Sequence, residues 1–240
     1  LVNEKILAIE AGYGFRSKRF SLNTNGYITR WENRPLPFGL SVPDPLDPSE
    51  FIRVNVPGMD ALHMGIETDF VIKFNKKLSF EGMVSIGDWK WASKEDIVIY
   101  EDTISFDARG VHVGNAAQST YAASLRFAFI KDGYIKIKYT LFDRYYSDFN
   151  PNTLAGATAG KDSWRIPAYG LMSIHAGYTV RLEKSQLKFK ANLFNALNTL
   201  YISDARNNYH LDGSSDFDAN SATVFIGQGL RFNVSIGFQF

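Results

Sequence analysis

The last eleven residues restrict the fold more than any other feature of the chain. From Leu230 to Phe240 every second residue is apolar: Leu230, Phe232, Val234, Ile236, Phe238 and Phe240. The residues between them, Arg231, Asn233, Ser235, Gly237 and Gln239, are small or polar. Successive side chains of a strand point to opposite faces, so this segment is a strand with one greasy face and one wet face. The same period recurs upstream. Leu187, Phe189, Ala191 and Leu193 alternate with Lys188, Lys190 and Asn192, and Ile135, Ile137, Tyr139 and Leu141 with Lys136, Lys138 and Thr140. Ala123, Leu125, Phe127 and Phe129 oppose Ser124, Arg126 and Ala128, and Met172 to Val180 repeats the pattern. Met64 to Ile72, Leu78 to Ile86, and more weakly Leu7 to Phe15 and Phe20 to Ile28 complete the series. The pattern predicts about nine strands of roughly 9–13 residues, the length of a tilted membrane-crossing strand. No stretch keeps a helical period of 3.6 residues.

The connections alternate in length. Short turns are expected at Arg16-Ser17-Lys18, Asn75-Lys76-Lys77, Lys131-Asp132-Gly133 and Glu183-Lys184-Ser185, and long loops near 32–60, 88–118, 147–167 and 202–222. Five prolines between Pro35 and Pro48 exclude a central strand there. Short turns at one end and long loops at the other are the mark of an outer-membrane barrel. The expected fold class is therefore all-β, a transmembrane antiparallel β-barrel, with residues 1–240 as one unit. Single-chain bacterial barrels have an even number of strands. An odd count ending at the turn side predicts that the chain is the C-terminal portion of a larger barrel.

Composition agrees with this reading and excludes several others. Lys and Arg number 26 against 25 Asp and Glu, which removes the electrostatic case for a nucleic-acid partner. The absence of cysteine excludes disulfide scaffolds, thiolate zinc sites and cysteine nucleophiles. Mean hydropathy is −0.17, and no run approaches the roughly 20 apolar residues of a membrane helix. Alternating strands average to such modest values. The opening Leu1-Val2-Asn3-Glu4-Lys5 is not a signal peptide, since no apolar region follows a basic start.

Several segments, in order, resemble TonB-dependent outer-membrane receptors, in particular the Bacteroidetes type with a carboxypeptidase-regulatory-like extension. They are Ile9-Glu10-Ala11-Gly12-Tyr13, Asn25-Gly26-Tyr27-Ile28-Thr29-Arg30-Trp31, His63-Met64-Gly65-Ile66-Glu67 and Ser85-Ile86-Gly87-Asp88-Trp89-Lys90-Trp91. Further matches are His112 to Gln118, Asp143-Arg144-Tyr145-Tyr146, Ile166-Pro167-Ala168-Tyr169, and the terminal Phe240. Asn192-Leu193-Phe194-Asn195-Ala196-Leu197-Asn198-Thr199-Leu200-Tyr201-Ile202 is the most specific piece. The resemblance implies about nine C-terminal strands of a 22-stranded barrel, with the plug domain and earlier strands absent from these residues. It also implies uptake of a scarce nutrient (siderophore, cobalamin, glycan or peptide), driven through the TonB complex and the protein's own plug. The implied partners further include outer-membrane lipid and the barrel assembly machinery, and a SusD-like surface lipoprotein occurs with such receptors in Bacteroidetes. Phe238 and Phe240 resemble the C-terminal signal by which the assembly machinery recognises barrels.

Aromatic residues gather near predicted strand ends, among them Tyr13, Phe15, Trp31, Tyr145, Phe149, Trp164, Tyr169 and Tyr201. An interfacial girdle is the general explanation for such rings. Trp89, Trp91 and Tyr146 border long loops beside charges and are candidates for ligand stacking at the extracellular mouth, with Arg144 beside them. The charged row Glu10, Glu67, Asp69, Glu81, Arg126, Lys136, Lys138, Arg144, Arg181, Lys188, Lys190 and Arg231 would be costly against lipid and is assigned to the lumen. His63, His112, His175 and His210 show no metal-ligand spacing. Asp212 to Asp218 lacks the order of a calcium loop and reads as a solvated loop. Gly110 to Gly114 is no phosphate loop, and no nucleophile elbow or carboxylate pair is present, so neither cofactor nor catalytic chemistry is indicated. A plugless outer-membrane pore and a soluble ligand-binding barrel with its apolar face inward share parts of this pattern.

Overall fold

A computed structural model of the chain describes residues 3–34, 40–44, 46–54, 58–99, 102–149, 154, 158–206 and 217–240. Pro35, Pro37, Pro45, His210 and the segment 212–216 lie outside the described residues. In chain order the strands begin with β1 (Lys5–Arg16), β2 (Phe20–Arg34), β3 (Leu40–Asp44), β4 (Asp47–Val54), β5 (Met59–Lys73) and β6 (Leu78–Trp91). They continue with β7 (Lys94–Ile99), β8 (Asp102–Asp107), β9 (Ala117–Ile130), β10 (Gly133–Tyr146) and β11 (Arg165–Ile166). The last are β12 (Tyr169–Arg181), β13 (Gln186–Phe194), β14 (Ile202–Arg206), β15 (Thr223–Ile226) and β16 (Arg231–Gln239).

Nine of these form one antiparallel wall in the order β1-β2-β5-β6-β9-β10-β12-β13-β16, with the short β11 joined to the end of β10. The nine-strand expectation is met, strand by strand. β1 and β16 are the two edges, so the wall is an open arc. Between wall strands, the long connections carry separate hairpins: β3 with β4, β7 with β8, and β14 with β15. Alternation had not revealed these, because the residues concerned read as loop. Pro43 and Pro48 sit in the first hairpin, away from the wall, where two strands tolerate missing donors.

The short turns are closed by their own side chains. The Phe20 amide donates to Ser17 Oγ at 3.1 Å, and Asn75 Oδ1 accepts from the amides of Lys77 and Leu78 at 2.7 and 2.9 Å. Such Asx and Ser turns supply the partners that a tight reversal takes away from the ladder.

Register carries the period of two across the whole wall. Ile9 pairs with Ile28, Ile28 with Met64, Ile66 with Ile86, Phe80 with Leu125, and Leu125 with Ile137. The line continues through Ile137 with Ile174, Ile174 with Leu193, and Leu193 with Phe232. One face is therefore apolar across nine strands up to the long-connection end, where Asp88, Ser119 and Asp143 take its positions. A one-residue slip anywhere would break that continuity, so the register is strongly specified. The other face carries Asn23, Glu67, Glu81, Ser124, Lys136, His175, Asn192 and Asn233. There Asn23 donates to Asp69 at 2.9 Å, Ser124 and Lys136 both donate to Glu81, and His175, Asn192 and Asn233 form a chain with 2.7 Å links. A cavity of about 720 Å³ lies against this polar face between β1 and β9, bordered by Asn23, Asn25, Glu67, Asp69, Ser85 and Trp89.

The apolar face is open: Phe232, Val234 and Ile236 are 74%, 68% and 66% exposed. A water-soluble barrel would bury such a face at its centre, whereas a membrane barrel turns it to hydrocarbon. Val234→Arg is accordingly expected to cost about 2–4 kcal/mol in folding into bilayers, while Ser235→Arg on the opposite face is tolerated. Urea unfolding of the two variants in lipid vesicles measures the difference, and equal effects would contradict the facing.

Candidate functional site

Among the described residues, most buried side chains lie where the wall gives way to its long connections. Met59, Ala61, Trp91, Ala108, Val111, Val113, Phe149, Leu154 and Phe217 form a dry cluster there, with Trp31 and Trp89 packed against it. The local geometry starts from a separation of strands. β6 and β9 pair as far as Ile86 and Ser119 and then part. The chain returning from the β7–β8 hairpin fills the gap. The Gly110 amide donates to Trp91 O, the Trp91 amide to Val111 O, and the Val113 amide to Trp89 O, each at 2.9 Å.

Gln118, 1% exposed, completes this junction with its side chain. Its Oε1 accepts from the Trp89 amide at 3.0 Å, while Nε2 donates to Trp89 O at 2.9 Å and to Val113 O at 3.2 Å. An amide side chain thus replaces the neighbouring strand's backbone where the ladder ends. Sequence reasoning had given Gln118 no role. A buried-looking glutamine at the start of an alternating strand is the signal that was available.

Next to this junction is a charged group centred on Asp88. Lys90 Nζ lies 3.0 Å from Asp88 Oδ2, and Arg144 and His112 approach Oδ1 at 3.4 and 3.6 Å. Arg144 has a left-handed backbone, φ +51°, and its guanidinium donates to Gly87 O at 2.7 Å. It reaches from β10 to β6 across the end of β9. His112 is held on the other side by Asp162, with 2.6 Å to the ring and 2.8 Å to the amide, and its ring stacks flat on Tyr146 at 4.0 Å. Asp143 accepts from Arg165 at 2.6 Å. Farther out, the Arg109 guanidinium bridges both oxygens of Asp107 and holds that carboxyl at about 2. Burial pushes the Asp148 carboxyl up from its ordinary value.

The four mouth candidates separate into different settings. Trp89 borders the cavity on the polar face; its Nε1 donates to Tyr27 Oη at 2.8 Å and its ring leans on His63 at 5.7 Å. Tyr27 can lie there because position 65 is glycine: a Cβ at Gly65 would stand 2.6 Å from Tyr27 Oη and 2.7 Å from Ile86 O. Arg144 and Tyr146 come together around Asp88 and His112. Trp91, 5% exposed, sits in the dry cluster edge-on to Phe149, with Arg34 over its ring at 5.3 Å. Tyr146 is 8% exposed. Trp89 and the charged group are thus partly exposed, while Trp91 and the Tyr146 ring are packing. Phe238 and Phe240 lie at the far end of β16, exposed, with ring centres 6.0 Å apart. Tyr169 stacks between Phe142 and Tyr201 at 5.0 and 4.5 Å, an aromatic column at the loop end.

Asn195 and Asn198 account physically for the Asn-rich segment after β13. Both are left-handed, φ +47° and +50°, which asparagine tolerates better than most residues. Asn195 accepts from the Thr199 amide at 2.8 Å and donates to Thr199 O and Gln228 O. Asn198 accepts from the Leu230 amide at 3.0 Å. Together they tie the two ends of the last long connection and set where β16 begins.

No family model and no curated protein matches this chain. Solved structures do match, over 98% of it. The siderophore receptor PiuA from Acinetobacter baumannii superposes with a TM-score of 0.60 at 13% identity, and the ferric yersiniabactin uptake receptor FyuA from Yersinia pestis with 0.61 at 14%. The unliganded ferric citrate transporter FecA gives 0.65 at 14% identity. The chain spans 28%, 29% and 31% of those three structures. Its fold is therefore that of a barrel segment in receptors of this class, as the strand pattern had predicted.

Replacing Gln118 by Leu keeps the volume but removes three hydrogen bonds, taking this partner from the Trp89 amide and Val113 O while Trp89 O keeps the Val113 amide. An unsatisfied buried polar group costs about 1–3 kcal/mol. The variant is expected to lose about 2–3 kcal/mol and to be cleaved faster by protease within 92–116, with unchanged cleavage at the short turns.

Proposed function

We infer that this chain is the C-terminal barrel wall of a bacterial outer-membrane receptor that takes up a scarce nutrient by gated passage coupled to TonB. The observation that carries the reading is the nine-strand wall, apolar outside and polar inside, matching receptors and transporters over 98% of its length. The named activities of those neighbours, siderophore and ferric citrate uptake, support a nutrient receptor; binding and passage, with no bond-making chemistry, is the activity assigned. The ligand meets the long-connection end, where Trp89 borders the polar-face cavity and the partly exposed group around Asp88 stands on the other side of β6. The group is assigned to recognition in addition to the bracing that Arg144 gives β6 through Gly87 O.

In this proposal the polar face and the cavity at Glu67, Asp69 and Trp89 receive the plug domain of the complete protein. Phe240 ends the strand that the barrel assembly machinery reads. The resemblance to the Bacteroidetes type is part of the same reading. A plugless pore has the same wall, so conductance separates the two. The complete protein in a planar bilayer is expected to hold no steady open conductance, and cells carrying it should lose uptake when TonB is removed. A stable open conductance would favour the pore.

A further inference from the structure

The formal net charge of +1 conceals a strong asymmetry along the barrel axis. The turn segments 16–19, 73–77, 131–132 and 181–184 carry nine Lys and Arg but only two carboxylates, Asp132 and Glu183. The long connections 35–58, 92–116, 147–168 and 195–230 carry fourteen Asp and Glu against six Lys and Arg. At the turn end Asp132 is already occupied, accepting from Arg181 at 3.0 and 2.7 Å. Among the described residues, the other turn cations, including Lys18, Arg19, Lys76, Lys77, Lys131 and Lys184, form no ion pair and stand exposed. Four adjacent turns of one wall thus present a continuous basic rim.

The rim has a second property. Each basic turn is flanked by an apolar side chain about half exposed: Phe15, Phe74, Ile130 and Leu182. These lie at the end of the wall whose apolar face runs uninterrupted above them. A cation beside an apolar anchor, at the border of a hydrocarbon-facing surface, suits a lipid headgroup: the anchor enters the acyl boundary and the cation meets the phosphate. Isolated lysines in solvent would not need the anchors, and an acidic protein partner would not place them at the border of the apolar face.

We propose that the short-turn rim binds anionic phospholipid, phosphatidylglycerol in kind, in the leaflet facing those turns. The inference rests on the membrane placement argued above and is independent of what the barrel transports. Lys18, Arg19, Lys76 and Lys77 supply adjacent positive charges on two neighbouring turns, and Lys131 and Lys184 extend the rim along the next two. Each such cation is drawn to an anionic surface, and salt screens the attraction. The acidic long-connection end repels the same headgroups, so the rim also favours one orientation of the barrel across the membrane.

The test is lipid titration of the complete detergent-solubilised receptor followed by native mass spectrometry, with phosphatidylglycerol, phosphatidylcholine and inorganic phosphate as probes. The parent protein is expected to retain phosphatidylglycerol at least about tenfold more tightly than phosphatidylcholine, and inorganic phosphate in excess should not displace it. The combined variant Lys18→Gln, Arg19→Gln, Lys76→Gln, Lys77→Gln should lose that preference, whereas Arg53→Gln with Lys94→Gln at the opposite end should keep it. High salt applied to the parent gives the same readout without any substitution, so a variant that fails to fold does not end the test. Equal retention of the two lipids, no effect of salt or of the four substitutions, or displacement by free phosphate would overturn the proposal. Tighter binding of polyglutamate than of phosphatidylglycerol would assign the rim to an acidic protein and overturn it as well. A protein that never enters lipid bilayers would instead overturn the membrane reading on which the inference stands.

Discussion

Everything in this structure depends on the inter-strand ladder. In hydrocarbon an unpaired amide or carbonyl costs several kcal/mol, so a membrane-crossing sheet must pair every strand on both sides. That requirement fixes the backbone and leaves the side chains to distinguish inside from outside. The period of two then does the rest. Ile9, Ile28 and Met64 share one face by register alone, as do Phe80, Leu125 and Ile137, and Asn23, Glu67, Ser85 and Thr120 occupy the other. Because the apolar face is outward, the wall has little dry interior of its own. The tightly buried residues are found instead under the long connections.

The ladder also determines where unusual side chains are needed, because it has to end. Where β6 and β9 separate, Gln118 provides the missing donor and acceptor. Where the last long connection closes, Asn195 and Asn198 take left-handed backbones and bond across it. At the mouth, Arg144 crosses a missing stretch of β9 to reach Gly87 O. These residues are structural substitutes for a neighbouring strand, and Arg144 among them also joins the partly exposed group around Asp88. The candidate site and the ladder's end are thus one piece of geometry.

The wall was readable because alternation is a direct consequence of burial on one face. All nine strands, the four short turns and the polar inner row follow from it, and the order of strands follows from antiparallel neighbours joined by short turns. The mouth was less readable. Trp91 and Tyr146 border charged loops in sequence, which is also how a ligand-stacking ring appears. The returning segment 108–113 and His112 cover them, and that contact spans residues whose pairing has no periodic signature. Asp162, fifty residues from His112, is equally invisible. The hairpins β3–β4, β7–β8 and β14–β15 escaped notice because neither face of them is continuously apolar. Charge segregation along the axis was hidden for a simpler reason: a net value near zero averages both ends.

The central claim is that the apolar face of the wall meets lipid and the polar face meets water. Single cysteines placed one at a time at 231 through 238 of β16, in a stretch with no cysteine of its own, carry spin labels that report this directly. In the reconstituted complete protein, labels at 232, 234, 236 and 238 should be relaxed by oxygen dissolved in the bilayer, and those at 231, 233, 235 and 237 by a water-soluble nickel chelate. An inverted alternation, or none, would contradict the account.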